Sequence, residues 1–295
     1  MAFHRENQTI YLITGKGGVG KSAIAAALAQ KKASGGAKTL LVELGDQSYY
    51  KYIYNQEINY LPTQIKKNFS ISLWSGETCL REYVLHLVKV KKIVDLFFNN
   101  RVMKTFIRAA PALKELAILG KITSGIRGWG PPLDFDVIVV DGFSTGHFIA
   151  LLRAPIGMGE MIKSGPMGEQ CRKIIEVLSS EKFCKYSIVT LPEELPVGET
   201  EELKKDLKAT IGQSANIICN RIYPNPFSED DLVQILSDEK SLSANSFAEH
   251  LNEIYTREAE QIVKLQEISN DITKLPFLFT ADGQIVVDEL EKILQ

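Results

Sequence analysis

Eight consecutive residues, Gly15-Lys16-Gly17-Gly18-Val19-Gly20-Lys21-Ser22, fit the spacing G-x-x-x-x-G-K-[ST]. In that pattern successive backbone N–H groups surround a nucleotide's phosphates, Lys21 reaches the β- and γ-phosphates, and the Ser22 hydroxyl binds Mg²⁺. The glycines permit positive φ and close approach to an anion, and a helix opening at Ser22 adds its partial positive charge there. A carboxylate is the expected companion. Asp141, the last residue of Asp-Phe-Asp-Val-Ile-Val-Val-Asp (134–141), would accept from Mg²⁺-bound water or from Ser22. Glu43 and Asp46, at and just after the end of another apolar run, are candidates to orient the water that attacks the γ-phosphate. A turn acid in solvent accounts equally well for each of those two.

The elements that must position these groups are legible as apolar runs. Residues 9–14 predict a buried strand and the alanine-rich run 22–32 a helix, so the loop lies between strand and helix as its chemistry requires. Further strands are expected at 39–44, 71–75, 134–141, 185–191 and 216–219, with several helices between Glu77 and Ile126. Gly142 to His147 reads as a glycine-bearing loop beside the γ-phosphate, placed to sense hydrolysis and move a following helix. Gly157 to Glu181 reads as a loop and helix carrying Met158, Met161 and Met167, and 246–267 and 284–294 read as helices covering the sheet. Residues 83–98 are more apolar than a helical stripe requires, which predicts burial against neighbouring helices, with a groove for an apolar client as the alternative. Lys89, Lys91, Lys92, Arg101, Lys104 and Arg108 are expected on a solvated face, with anionic lipid or a partner as the alternative reading.

The expected fold is α/β: a mostly parallel sheet of about seven or eight strands with helices on both faces. Residues 1–295 are expected to form a single domain with a helical insertion at about 77–126 as the only candidate subdomain. The chain is 45% hydrophobic and 24% charged, with a net charge of −2. No global field therefore favours nucleic acid or an anionic membrane, and no aromatic and glycine pattern of an RNA-binding sheet is present. Cys79, Cys171, Cys184 and Cys219 form no C-x-x-C pair, so buried reduced thiols are expected. With no apolar signal core at residues 1–8 and no apolar stretch of about 18 to 20 residues, the chain is expected in the cytoplasm.

The additional Lys16 makes the loop similar to the deviant Walker A loop of the MinD, ParA, nitrogenase iron protein and ArsA superfamily. Asp141, then Thr145-Gly146-His147 and a Leu-Leu, Arg and Pro tail, resembles the switch II region of the ArsA branch, which includes arsenite-pump and tail-anchored-protein targeting ATPases. Leu191 to Thr200 resembles that family's strand-to-helix junction, with Glu199 and Thr200 opening a helix. The resemblance implies ATP and ADP as nucleotides, Mg²⁺ as cofactor, and contacts from Gly15 through Ser22, Ala23 and Gly146. It implies that Asn220, next to Arg221, reads the adenine edge, and Thr273 to Leu278, containing Leu275-Pro276-Phe277, resembles the family's last strand and the loop that covers the base. It also implies that Lys16 reaches across a dimer to the partner's nucleotide. The family's switch I reads Ser-Thr-Asp-Pro-Ala-His, whereas this chain has Glu43-Leu44-Gly45-Asp46-Gln47-Ser48, so Glu43 or Asp46 must replace the missing aspartate. The zinc-binding C-x-x-C of the targeting ATPases is absent.

Three roles remain open at this point. One is a homodimeric or paralogue-paired ATPase that serves a protein client or membrane partner. The second is a metalloid-efflux ATPase, and the third is a nucleotide-gated scaffold with little hydrolysis.

Overall fold

The computed structural model describes residues 6–102, 105, 111–131, 133–224 and 242–294. Its strands are β1 (Thr9–Gly15), β2 (Thr39–Leu44), β3 (Thr63–Lys66), β4 (Phe69–Trp74), β5 (Val137–Ser144), β6 (Cys184–Thr190), β7 (Ala215–Ile222) and β8 (Ile272–Pro276). They form one sheet in the order β3-β4-β2-β5-β1-β6-β7-β8, in which only the β3–β4 pair is antiparallel. Between them lie α1 (Lys21–Ser34), α2 (Tyr50–Tyr54), α3 (Gly76–Val88), α4 (Lys91–Asn99), α5 (Pro111–Ile122) and α6 (Ser124–Arg127). The remaining helices are α7 (Thr145–Met161), α8 (Gly165–Leu178), α9 (Glu194–Ile211), α10 (Leu242–Ile268) and α11 (Gly283–Ile293).

The central strands are unbroken apolar runs because both of their faces are covered. Along β5, Ile138 and Val140 join a core with Ile10 and Leu12 of β1, Leu119 of α5, Phe148 of α7 and Ile174 of α8. Val137 and Val139 point the other way, joining Ile13, Leu41 and the α1 face Ile24, Ala27 and Leu28. Small alanines let α1 lie close to the sheet, and Gln30 ties it to α11 through Asp288 and Glu291, at 3.0 Å each. Among the described residues no helix is long and apolar enough to cross a membrane.

Four local expectations are corrected. The run at 134–141 enters the sheet only at Val137 and continues through Ser144, so 142–147 forms no loop: α7 starts at Thr145, directly after β5. Gly142 belongs to the strand because a Cβ there would lie 2.6 Å from the Ile13 carbonyl oxygen, a backbone approach that only glycine tolerates. In the second correction, α7 runs on to Met161, which shortens the expected loop after Gly157 to Ile162–Ser164. Third, α9 opens at Glu194, which places Glu199 and Thr200 in its second turn. Finally, the apolar surplus at 83–98 is not buried. Only Val94 and Phe98 there are enclosed, while Leu87, Val90, Ile93 and Leu96 are exposed, Leu96 by 74%. Lys89, Lys91, Lys92 and Arg101 are likewise exposed, and Lys104 and Arg108 lie outside the described residues.

Candidate functional site

The loop between β1 and α1 is shaped by two opposite uses of glycine. At Gly15 (φ 142°) a Cβ would fall 2.1 Å from the Val189 carbonyl oxygen, and at Gly20 (φ 96°) it would fall 2.4 Å from Asn220 Nδ2. These two positions are closed by neighbouring strands. Gly17 and Gly18 are exposed, with nothing within 4 Å of a Cβ, so the crown of the loop is open to a ligand. Val19 is buried, and its carbonyl oxygen accepts a 2.9 Å hydrogen bond from Asn220 Nδ2. No side chain among the described residues caps the start of α1, and its first turn holds no acid. The orphan N–H groups and positive end of the helix dipole are thus directed at the open crown.

Lys21 and Ser22 begin α1, and Asp141 meets them from the neighbouring β5. Asp141 is 7% exposed and receives a hydrogen bond from the Ser22 side chain. Burial raises its carboxyl pKa, an effect opposed by the hydrogen bonds from Ser22 and Tyr50 and by the Lys21 charge. Burial correspondingly lowers the Lys21 pKa, with Asp141 acting the other way. Lys21 Nζ donates to the Lys16 carbonyl oxygen at 2.8 Å, folding back over its own loop. A buried carboxylate and a hydroxyl beside it are hard oxygen donors, the set that suits Mg²⁺, and a divalent cation there would supply the charge the buried acid lacks.

Tyr50, which sequence reasoning did not single out, completes this corner. It is fully buried at the start of α2, with its hydroxyl 2.9 Å from the Ser22 carbonyl oxygen and 3.0 Å from Asp141 Oδ2. Burial keeps its pKa well above the usual phenol value, so it remains a neutral donor. The signal available in the sequence was an aromatic residue seven places after the strand acid Glu43, which is indistinguishable from a core residue.

Glu43 stands beside Asp141 in the β2–β5 register. Its two oxygens accept from Ser48 Oγ at 2.5 Å and from the Tyr49 backbone N–H at 2.6 Å. Burial raises its pKa, those hydrogen bonds lower it, and Asp141 raises it further. The carboxylate thereby pins the β2–α2 connection, while Asp46 in the same connection is exposed. Lys16 forms an ion pair within the chain, Nζ to Glu199 Oε1 at 2.6 Å.

The supposed base-reading residues gather at the carboxyl ends of β7 and β8. Asn220 is 5% exposed and engaged with Val19, Arg221 is exposed in a left-handed conformation (φ 57°), and Pro276 pairs with Ile222. Beside them Tyr223 stacks on Phe277 (centroids 4.7 Å apart, planes at 13°), and Phe279 meets Phe277 edge-on at 4.9 Å. Phe277 stands in the stretch expected to cover the base, but its partners Tyr223 and Phe279 were missed, because the trio draws on two separate stretches. Ala23 follows Ser22 in α1, and Gly146 is exposed in the first turn of α7.

A sequence profile for the family described as "Anion-transporting ATPase" matches residues 8–166. "ATPase BagA" of Mycobacterium tuberculosis is 29% identical over 249 residues, covering 78% of this chain and 70% of its own length. The "Arsenical pump-driving ATPase" of Escherichia coli is 27% identical over 206 residues, 69% of this chain and 33% of that protein. The "ATPase ASNA1 homolog 1" of Paramecium tetraurelia is 25% identical over 152 residues, 51% of this chain and 45% of that protein.

Proposed function

We propose how this chain, which belongs to the ArsA family of anion-transporting ATPases and is an ATPase, binds its nucleotide and uses its hydrolysis. The loop amides of residues 15–22 and the Lys21 ammonium hold the phosphates. To do so, Lys21 leaves the Lys16 carbonyl oxygen, a 2.8 Å contact that phosphate oxygens replace. Ser22 and Asp141 would hold Mg²⁺, which would supply positive charge to offset that developing on the phosphate oxygens. Tyr50 orients the Asp141 carboxylate. Glu43 fixes the switch I connection, and the exposed Asp46 is the acid free to orient water. The adenine lies toward Asn220, Arg221 and Pro276. Two protomers close over the nucleotides, each Lys16 serving the other's γ-phosphate, and the exposed apolar surface of α3 and α4 receives a protein client or membrane partner.

The observation that carries this reading is the convergence of Lys21, Ser22 and Asp141 at the uncapped start of α1. The test compares Mg²⁺-dependent phosphate release and nucleotide affinity in wild type and Asp141→Asn. Turnover should fall about 10²-fold or more, as when a group that stabilises transition-state charge is removed, while ADP still binds. Turnover within a factor of a few of wild type would exclude the assignment. The metalloid reading draws on the names of relatives, but burial raises the thiol pKa of all four cysteines. Among the described residues no group of three or more His, Cys, Asp or Glu side chains is placed to hold a metal.

A further inference from the structure

We propose that Glu199 is a positioning residue for Lys16: it retains the lysine's ammonium within its own protomer, and Lys16 serves the second protomer by exchanging this carboxylate for the γ-phosphate. The proposal rests on the two-protomer reading above.

The contact is set by the framework of the fold. Gly15 pairs with Val189 of β6, so the loop's first residue lies against the strand whose chain continues into α9. Glu199, in the second turn of α9, is thereby brought over the loop, and its Oε1 lies 2.6 Å from Lys16 Nζ. The other end of Lys16 is also held, because its carbonyl oxygen accepts from Lys21 Nζ at 2.8 Å. Lys16 is therefore fastened twice, once through its side chain and once through its backbone. Each fastening uses a cationic group that the nucleotide's phosphates would claim.

These two contacts make the release of Lys16 depend on the nucleotide. A phosphate that takes Lys21 frees the Lys16 carbonyl oxygen. The following peptides belong to Gly17 and Gly18, around which there is open space, so nothing steric resists the loop's adjustment. Only the Glu199 pair then retains the side chain.

The strength of that pair suits exchange. Its side chains are 35% and 36% exposed. Solvent-screened ion pairs of this kind shift equilibria by roughly 1.5- to 5-fold, which multiply charged phosphate can readily outcompete. A passive stitch between α9 and the loop would have the same geometry but would not couple to Lys16 chemistry or to association. That difference defines the test.

Two readouts on Glu199→Gln are needed. The first is the rate at which an amine-acylating reagent modifies Lys16, measured by peptide mass spectrometry at protein concentrations too low for association. The expected result is a two- to five-fold faster modification than in wild type, with or without Mg·ATP, because the Glu199 pair holds the wild-type lysine until a second protomer arrives. The second is sedimentation with Mg·ATP, where Glu199→Gln should associate more tightly by a similar factor and lose that advantage in a Lys16→Ala background. If the wild type associates through Lys16 but Glu199→Gln changes neither readout, the positioning role is overturned and the two-protomer reading stands. An advantage that persists without Lys16 also overturns it. If labelling responds while no variant associates, the exchange and the two-protomer reading fall together.

Discussion

Asp141, Ser22 and Tyr50 form a buried knot in which each group limits the others' freedom. The phenol of Tyr50 donates toward a carboxylate that burial would otherwise push toward protonation. Tyr50→Phe keeps the ring's packing and removes that donor. It should lower Mg·ATP turnover about 10-fold, the usual consequence of losing a partner that orients a ligand, with ADP affinity little changed. Turnover equal to wild type would assign Tyr50 to packing alone. The cysteines give a contrasting expectation. Burial pushes the thiols of Cys79 and Cys219 up to about 12, so at pH 8 roughly one in ten thousand of each is thiolate. A disulfide reagent at pH 8 should modify these two thiols only slowly, and rapidly once urea is added. Rapid native reaction at either would restore a thiol-based metalloid site to consideration. At this scale the phosphate loop and Asp141 were legible because their chemistry is tied to fixed spacing. Tyr50, and the Lys16–Glu199 pair that spans 183 positions of sequence, were not, because nothing local marks which distant residues will meet.

At the scale of elements, the site depends on β1 and β5 lying close enough to exclude side chains at their ends. Gly142→Ala would place its Cβ 2.6 Å from the Ile13 carbonyl oxygen, and overpacking against backbone costs about 1–3 kcal/mol. Gly17→Ala meets nothing within 4 Å. Its urea midpoint should match wild type while its nucleotide affinity falls, whereas Gly142→Ala should lower the midpoint. Equal midpoints for the two would contradict the close approach of β1 and β5. The strands were legible as apolar runs because they are covered on both faces. The β5–α7 junction was misread because Gly, Ser and Thr favour turns, a local preference overridden where Gly15 of β1 pairs with Ser144. β3 escaped notice because Thr-Gln-Ile-Lys is a short edge strand with a mostly polar exterior. The run at 83–98 was expected inside because apolar composition alone does not distinguish a core from an exposed surface.

Across the whole molecule, the family was within reach of sequence because the phosphate loop and the Asp141 and Thr145-Gly146-His147 stretch together carry it, and the sheet architecture because its strands are apolar runs. The use of the ATPase cycle was not, because in the proposed reading it depends on a surface presented to another molecule. In the proposed two-protomer cycle that use turns on Lys16, which is engaged within its own chain by Glu199. The most direct measurement is ATP turnover per protomer as protein concentration rises, for wild type and Lys16→Ala, with sedimentation of both in Mg·ATP. Wild-type turnover should climb with concentration and plateau as association saturates, while Lys16→Ala should remain low at every concentration. If Lys16→Ala instead matches wild type in both turnover and association, the shared-site account is contradicted.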